Sequence, residues 1–463
     1  MLQILEHGSF QNLEDKLFNM HFLLSFLIFL AFFPLMAPFN GEISGFSFGV
    51  NAYYFLGLLL LPISFFLAFS IHFHLNVYVK RILAILFCLV AWGVFSSFLN
   101  PFLFENISVF SPRLGIDTQV KFGPTALKWS FSNFGQALYL LINFNIVLIF
   151  LMLVRTKKEF LNVIMKSFKV VIPVMIVIVF WQVFAKIYGV YFPNDIIYSV
   201  NDRGWSNQTL NGLFRINGTM IEPSVLGGVM ASLFICSIWL QQHSSSLIYM
   251  IYPIFIVLCI GFTLSTTGVL SLVILFLAVI LKVAFRGIIH LKLQRNFLVL
   301  FILGVIPLSF LYFQFVELVT VFAQSTLVDK LNSGSLENRS VSNYHSLVVL
   351  KDTYGMGSGL GSNRPSSFIF AVLSNLGIIG FILSTVLFFS IMNAYFKLRK
   401  LDRDLDYTFL ILVLFLLSMA LAIPDLSTEY LWVCLVSFLV NANVSTNRIA
   451  HKNLENKKLS SIN

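Results

Sequence analysis

The chain has 463 residues, of which 58% are hydrophobic and only 11% charged, with 52 phenylalanines and a formal net charge of +10. Soluble domains carry about 25% charged residues, which excludes that class. Continuous apolar runs without inside–outside alternation exclude a membrane β-barrel. The fold class is therefore all-α: a polytopic transmembrane helical bundle forming a single integral membrane domain over residues 1–463.

A run of roughly 20 apolar residues is long enough to cross a hydrocarbon core about 30 Å thick. In chain order such runs predict about twelve spans, near 20–39, 52–71, 82–99, 134–154, 169–187, 223–240, 247–264, 267–284, 297–316, 366–393, 407–423 and 430–443. The first follows an acidic lead (Glu6, Glu14, Asp15) with no small-residue cleavage site, so it is expected to be a retained helix rather than a signal peptide. With the N-terminus inside, inner segments hold 20 lysines and arginines and outer segments 10, although the outer loops are longer. Both termini are then cytoplasmic. The positive charge follows from this topology, so no nucleic-acid partner is expected. Cys88, Cys236, Cys259 and Cys434 all lie in apolar runs, without CxxC spacing or a neighbouring histidine, which fits buried hydrophobes better than disulfides or a zinc site.

Three outer segments are long, about 100–133, 188–222 and 317–365, and the last two are expected to be partly helical extracytoplasmic loops. They bring Arg203, Arg215, Arg339 and Arg364 to helix mouths. A guanidinium stays charged at any biological pH and presents a planar fork matched to phosphate oxygens, so a convergent set suits a lipid-linked pyrophosphate. The competing expectation is pairing with Glu222 or Glu337. Glu222 precedes Pro223 at the start of a span, a position that serves helix capping or general-base catalysis. Residues 336–350 predict an amphipathic helix, with Val341, Tyr344 and Val348 on its apolar face and Arg339, Ser342, Asn343 and Ser346 on its polar face. Such a helix would lie along the interface and point Arg339 into a cavity. Tyr344 is a candidate glycan contact. His345 is a candidate base, although it lies off the helical face of Arg339. The glycines of 355–361 prevent stable helix and are candidates for an anion-cradling turn, without a Walker or dinucleotide pattern. Asp425 and Glu429, in the short outer turn 424–430, could supply a carboxylate by tertiary contact but are expected to be solvated loop charges. Trp129 and Trp205 suit interfacial anchoring or stacking on sugars.

The segment FRINGTMIEPSVLGGVMAS (214–232), the segment NRSVSNYHSLVVLKDTYGMGSGLGSNRPSSFIFAVLSNLGIIGF (338–381) and the twelve-span arrangement resemble Wzy-type polysaccharide repeat-unit polymerases, within the O-antigen polymerase and ligase superfamily. The resemblance implies a membrane glycosyltransferase of the bacterial cytoplasmic (inner) membrane. Its substrates would be oligosaccharide repeat units on undecaprenyl pyrophosphate, joined at the outer face with release of undecaprenyl pyrophosphate. The product would be lipopolysaccharide O-antigen, capsule or exopolysaccharide. No metal or other cofactor is implied. Partners would be the lipid-linked glycans, membrane lipids, a chain-length regulator and a flippase. Pyrophosphate binding carries over onto Arg215 and Arg339, and onto Arg364. The alternatives are an O-antigen ligase or oligosaccharyltransferase and a polysaccharide-precursor transporter or flippase. Ligase-type relatives carry a histidine signature where this chain has Arg364-Pro365-Ser366-Ser367. A transporter would carry midspan ionisable residues, and none stands out.

Overall fold

The structure, a computed structural model, describes residues 20–43, 46–70, 75–110, 124–199, 208–210, 212–244, 246–277, 334–423 and 425–460. The span expected near 297–316, the first part of the 317–365 loop, Arg203 and Trp205 lie outside the described residues.

Apolar runs become helices where polar residues mark their starts. α1 covers Met20–Leu30, and a β-hairpin of β1 (Phe39–Ile43) and β2 (Phe46–Val50) follows. The span expected over 20–39 is thus helical only in its first part: Pro34 has no amide hydrogen to continue the helix, and the chain turns there. Asn51 precedes α2 (Ala52–Ser70) and its Oδ1 accepts from the Tyr54 amide at 2.9 Å. Asn76 caps α3 (Val77–Leu103) in the same way, accepting from Val79 N at 2.8 Å. β3 (Ser108–Val109) pairs with β4 (Thr125–Ala126) before α4 (Phe131–Leu153). Thr156 and Glu159 form a capping box that starts α5 (Lys157–Tyr188), and Gly189, at φ 69°, ends it in the left-handed conformation.

After the short helix α6 (Asn194–Ile197) and the β5 (Thr209–Leu210) and β6 (Leu213–Phe214) hairpin come α7 (Pro223–His243), α8 (Ile248–Phe262) and α9 (Thr266–Leu277). α10 covers Gly334–Asp352. α11 covers Phe368–Leu398, with a π-helical turn at Val372–Leu376. α12 (Asp404–Ala422) and α13 (Glu429–Ser460) close the chain.

The described residues are mostly helical, with few strands. Six helices (α3, α4, α5, α7, α11 and α12) are long and apolar enough to cross a membrane, and four shorter apolar helices accompany them. This is a helical membrane protein. α7 is its central helix: 89% of its most apolar window is buried inside the protein, against 28% for α5. Small residues allow that position, as in other membrane bundles. A Cβ on Gly227 would stand 3.0 Å from the Gly268 Cα of α9, and one on Gly228 would stand 2.6 Å from Ser418 Cβ of α12.

Candidate functional site

At the end of the bundle where α7 begins and α12 stops, the walls enclose a cavity of about 340 Å³. That volume falls within the roughly 300–1,000 Å³ common for ligand sites. Polar lining comes from separate stretches of chain: Asn51 and Tyr54 at the start of α2, Gln136 and Tyr139 of α4, Glu222 before α7, the 360–364 segment, and Asp425 to Glu429 from the end of α12 to the start of α13; the 31–35 stretch and the first turns of α11 complete the wall.

The glycine-rich segment before Arg364 is packing material. Gly355, Gly357, Gly359 and Gly361 all have positive φ, between 78° and 89°. A Cβ on Gly357 would lie 2.5 Å from Gly377 N, and one on Gly361 2.6 Å from Ser132 O, so neighbouring backbone comes too close for any side chain. The amides here already have partners. Gly357 N donates to Thr353 Oγ1, Ser358 N to Ser374 O, Gly359 N to Asn375 O and Leu360 N to Ser97 Oγ. An anion cradle needs free amides, so the expected cradling turn is not formed. Buried asparagines pin the segment instead: Asn133 Nδ2 donates to Leu360 O and Ser362 Oγ, each at 2.7 Å, and Asn375, in the π turn, donates to Asn363 O at 2.9 Å. π turns inside α-helices often mark functional sites. This one was not anticipated; buried asparagines within apolar segments were the available signal.

Arg364 reaches the cavity wall from this rigid segment, its Nη2 4.0 Å from Glu222 Oε1. Glu222 occupies the N-cap position of α7, yet its carboxylate accepts no bond from the first-turn amides. It faces Arg364 and accepts from Ser224 Oγ at 3.1 Å. The simple capping account therefore does not describe it.

Arg215 and Arg339 lie near that rim without lining the cavity. Arg215 Nη1 donates to Gln208 Oε1 at 3.1 Å and its Nε to Thr263 O at 3.4 Å. Arg339 Nη1 lies 3.5 Å from Leu421 O, in the last turn of α12. Burial pulls Arg215 below the ordinary guanidinium range. Glu222 opposes that shift, and the Arg339 charge adds to it, so the three side chains share one electrostatic neighbourhood. Among the described residues neither Arg215 nor Arg339 has a carboxylate within 4.0 Å. Two cations thus meet only neutral acceptors beside a cavity.

α10 carries Arg339 on a polar stripe that faces the protein. Ser342 and Ser346 are fully buried against the 360–364 segment, Ser342 Oγ donating to Arg364 O at 3.3 Å. Val341, Tyr344 and Leu347 face outward, and Tyr344 is 71% exposed. Tyr344 does not reach the cavity wall. Neither does His345: its Nε2 lies 3.2 Å from Ser108 Oγ, and its ring packs 4.4 Å from that of Phe110. Burial lowers the His345 pKa, with Asp352 opposing, which favours the neutral ring. It serves the small cluster joining α10 to β3 and β4.

The acidic turn between α12 and α13 departs from expectation. Asp425 is exposed, and its Oδ1 accepts from Ser427 N at 2.9 Å and Ser427 Oγ at 2.6 Å. Glu429, one residue before the expected span 430–443, is instead buried in the cavity wall at 7% exposure. Its Oε1 accepts from Asn51 Nδ2. Burial pushes its carboxyl up to about 7, partly offset by the bond from Asn51. Its position depends on the start of α2 arriving alongside, which local sequence does not reveal.

The opposite ends of the same helices hold a saturated ionic knot. Lys157 Nζ lies 2.6 Å from Asp402 and 2.9 Å from Asp404, and His243 Nε2 lies 2.7 Å from Asp404 Oδ1. Trp239 Nε1 donates to Asp404 at 2.8 Å and Ser445 Oγ to Asp402 at 2.9 Å. Among the described residues no group of His, Cys, Asp and Glu side chains is placed to hold a metal ion.

Protein-family models give no match to this chain, and no curated protein matches it.

Proposed function

We propose that the chain is a membrane glycosyltransferase that joins oligosaccharide repeat units carried on undecaprenyl pyrophosphate, at the outer face of the bacterial cytoplasmic membrane. The observation that carries this proposal is that Arg364 and Glu222 line one cavity at a bundle end while Arg215 and Arg339 share the electrostatic neighbourhood of Glu222 beside it. Every segment at that end was assigned to the outer side by the distribution of lysine and arginine, and every segment of the Lys157 knot to the inner side. The alternation of ends supports about twelve spans with both termini cytoplasmic.

In this mechanism the guanidinium groups receive the diphosphate of the donor. Charge accumulates on the leaving diphosphate as the anomeric carbon–oxygen bond breaks, and fixed cations already in place stabilise it without reorganisation. Partial burial strengthens the interaction by excluding water. The sequence resemblance to Wzy-type polymerases supports polymerisation over ligation, as does the absence of a histidine at the Arg364-Pro365 position.

The test is deletion of the gene followed by gel analysis of surface glycan. Loss of polymer with single repeat units still attached is the expected result. Bare acceptor would indicate a ligase instead, and units stranded inside the cell a flippase.

A further inference from the structure

The cavity is chemically divided. Arg364 and Glu222 form one side. The other side is Tyr54, Tyr139, Asn51, Asp425 and Glu429. The half-buried Tyr139 ring stacks on the buried Tyr54 ring, centroids 4.0 Å apart at an interplanar angle of 17°, so Tyr139 supplies the aromatic face of this side. Aromatic faces beside amide and carboxylate groups suit a sugar ring, whose C–H face is apolar and whose edge is hydroxylated.

Three carboxylates line the cavity, and they are not equivalent. Glu222 is already occupied, facing the Arg364 guanidinium at 4.0 Å and accepting from Ser224 Oγ. Asp425 is exposed, with Oδ1 held by Ser427. Glu429 is buried and receives only a neutral amide donor; among the described residues no ammonium, guanidinium or imidazole lies within 4.0 Å of it. A buried carboxylate with no cation is unfavourable for folding, and one placed in a cavity wall marks a site of chemistry.

We propose that Glu429 is the proton acceptor of the transfer step and that the Tyr54–Tyr139 side of the cavity seats the acceptor sugar. The proposal rests on the glycosyltransferase assignment made above. The attacking hydroxyl of the acceptor gives its proton to the Glu429 carboxylate. Its oxygen forms the new bond to the donor's anomeric carbon. The bond from that carbon to the phosphate oxygen breaks, and its electron pair leaves on undecaprenyl pyrophosphate beside the arginines. Asn51 is a positioning residue: its Nδ2 fixes the carboxylate while its Oδ1 holds the first turn of α2. The charged and titratable groups around Glu429 are Asp425, Tyr53, Tyr54 and Tyr139, with Glu222, Arg364 and Tyr430 lining the same cavity. The shift of Glu429 toward 7 suits a group that exchanges protons near neutral pH.

The test uses the full-length chain in a strain lacking the native copy, with Glu429→Gln, Glu429→Asp and Arg215→Ala compared. Glu429→Gln keeps the Asn51 partner and should lower polymer formation by about 100-fold or more, the usual size of a general-base contribution. Its binding of added undecaprenyl pyrophosphate should stay within about twofold of wild type, whereas Arg215→Ala should lose that binding. Glu429→Asp should retain partial activity. In isolated membranes the wild-type rate should rise with pH through about 7. Wild-type polymer in Glu429→Gln, with Arg215→Ala inactive, would overturn the role of Glu429 and leave the glycosyltransferase assignment standing. Full polymer in both variants would overturn both. Loss of pyrophosphate binding in Glu429→Gln would overturn the proposal in favour of a binding or structural role. If Glu429→Gln fails to reach the membrane, a wild-type rate independent of pH between about 6 and 8 overturns it.

Discussion

At one end of α7 and α12, Lys157 and His243 hold Asp402 and Asp404 at 2.6 to 2.9 Å, with Trp239 and Ser445 filling remaining acceptor positions. At the other end, some 30 Å away by the rise of a helix about 20 residues long, Arg215 and Arg339 meet neutral oxygens and Glu429 meets an amide. Both ends carry cations and carboxylates. The knot satisfies its charges internally and ties α5, α7, α12 and α13 together. At the cavity Arg364 faces Glu222, but among the described residues Glu429 in its wall and Arg215 and Arg339 beside it have no opposite charge within 4.0 Å, an arrangement that raises the free energy of the fold unless a ligand completes it. Saturation marks scaffold; its absence marks a binding site.

The comparison can be broken most sharply at the arginines. Arg215→Ala and Arg339→Ala should each lower polymer formation by about 100-fold or more, as expected when a preorganised donor to a developing anion is lost. Protein abundance should be unchanged, since neither side chain has an ion pair to lose. Lysine replacement should restore little, because the planar fork is gone. Glycan gels with immunoblots of membranes measure both; full polymer in either alanine variant would refute the role.

Lys157→Ala should do the reverse. It leaves half-buried Asp402 without a cation and buried Asp404 with His243 alone, a loss of up to about 3 kcal/mol. The expected outcome is reduced abundance and a lower melting temperature in detergent, with turnover per surviving molecule near normal. A stable but inactive variant would place the knot in the chemistry instead.

The smallest effect concerns pH. Glu429 titrates at about 7 in the folded chain against 4.5 ordinarily, so the folded state holds this proton more tightly than the unfolded state does. Its stabilising contribution is complete below about pH 4.5 and is lost as pH rises through about 7. Glu429→Gln should therefore melt higher than wild type at pH 8, by up to roughly 3 kcal/mol, and nearly equal to it at pH 5. A gap that does not widen between these values would contradict the unpaired burial of the carboxylate.

Much of the helical framework was legible because a bilayer demands long apolar runs, and Glu222-Pro223 marked the start of α7 by ordinary helix-entry chemistry. The site was legible only where one segment carried the clue. Arg215, Arg339 and Arg364 stood out as cations at helix mouths. Glu429 did not: its burial depends on Asn51, which lies 378 residues away in the chain. Periodicity predicted α10, and its polar stripe turns inward as the interfacial reading expected, with Ser342 and Ser346 buried. The glycines of 355–361 suggested an anion cradle because left-handed turns can present amides; tertiary partners from α3 and α11 occupy them.

The outward stripe of α10 has a further consequence. Val341, Tyr344 and Leu347 are uncovered by protein, and each would be unfavourable against bulk water. Under the proposed topology, lipid headgroups and upper acyl chains would supply the missing cover. The membrane would then act as the outer half of the mount that carries Arg339, setting the depth of that cation from the fatty side while the two serines set it from within.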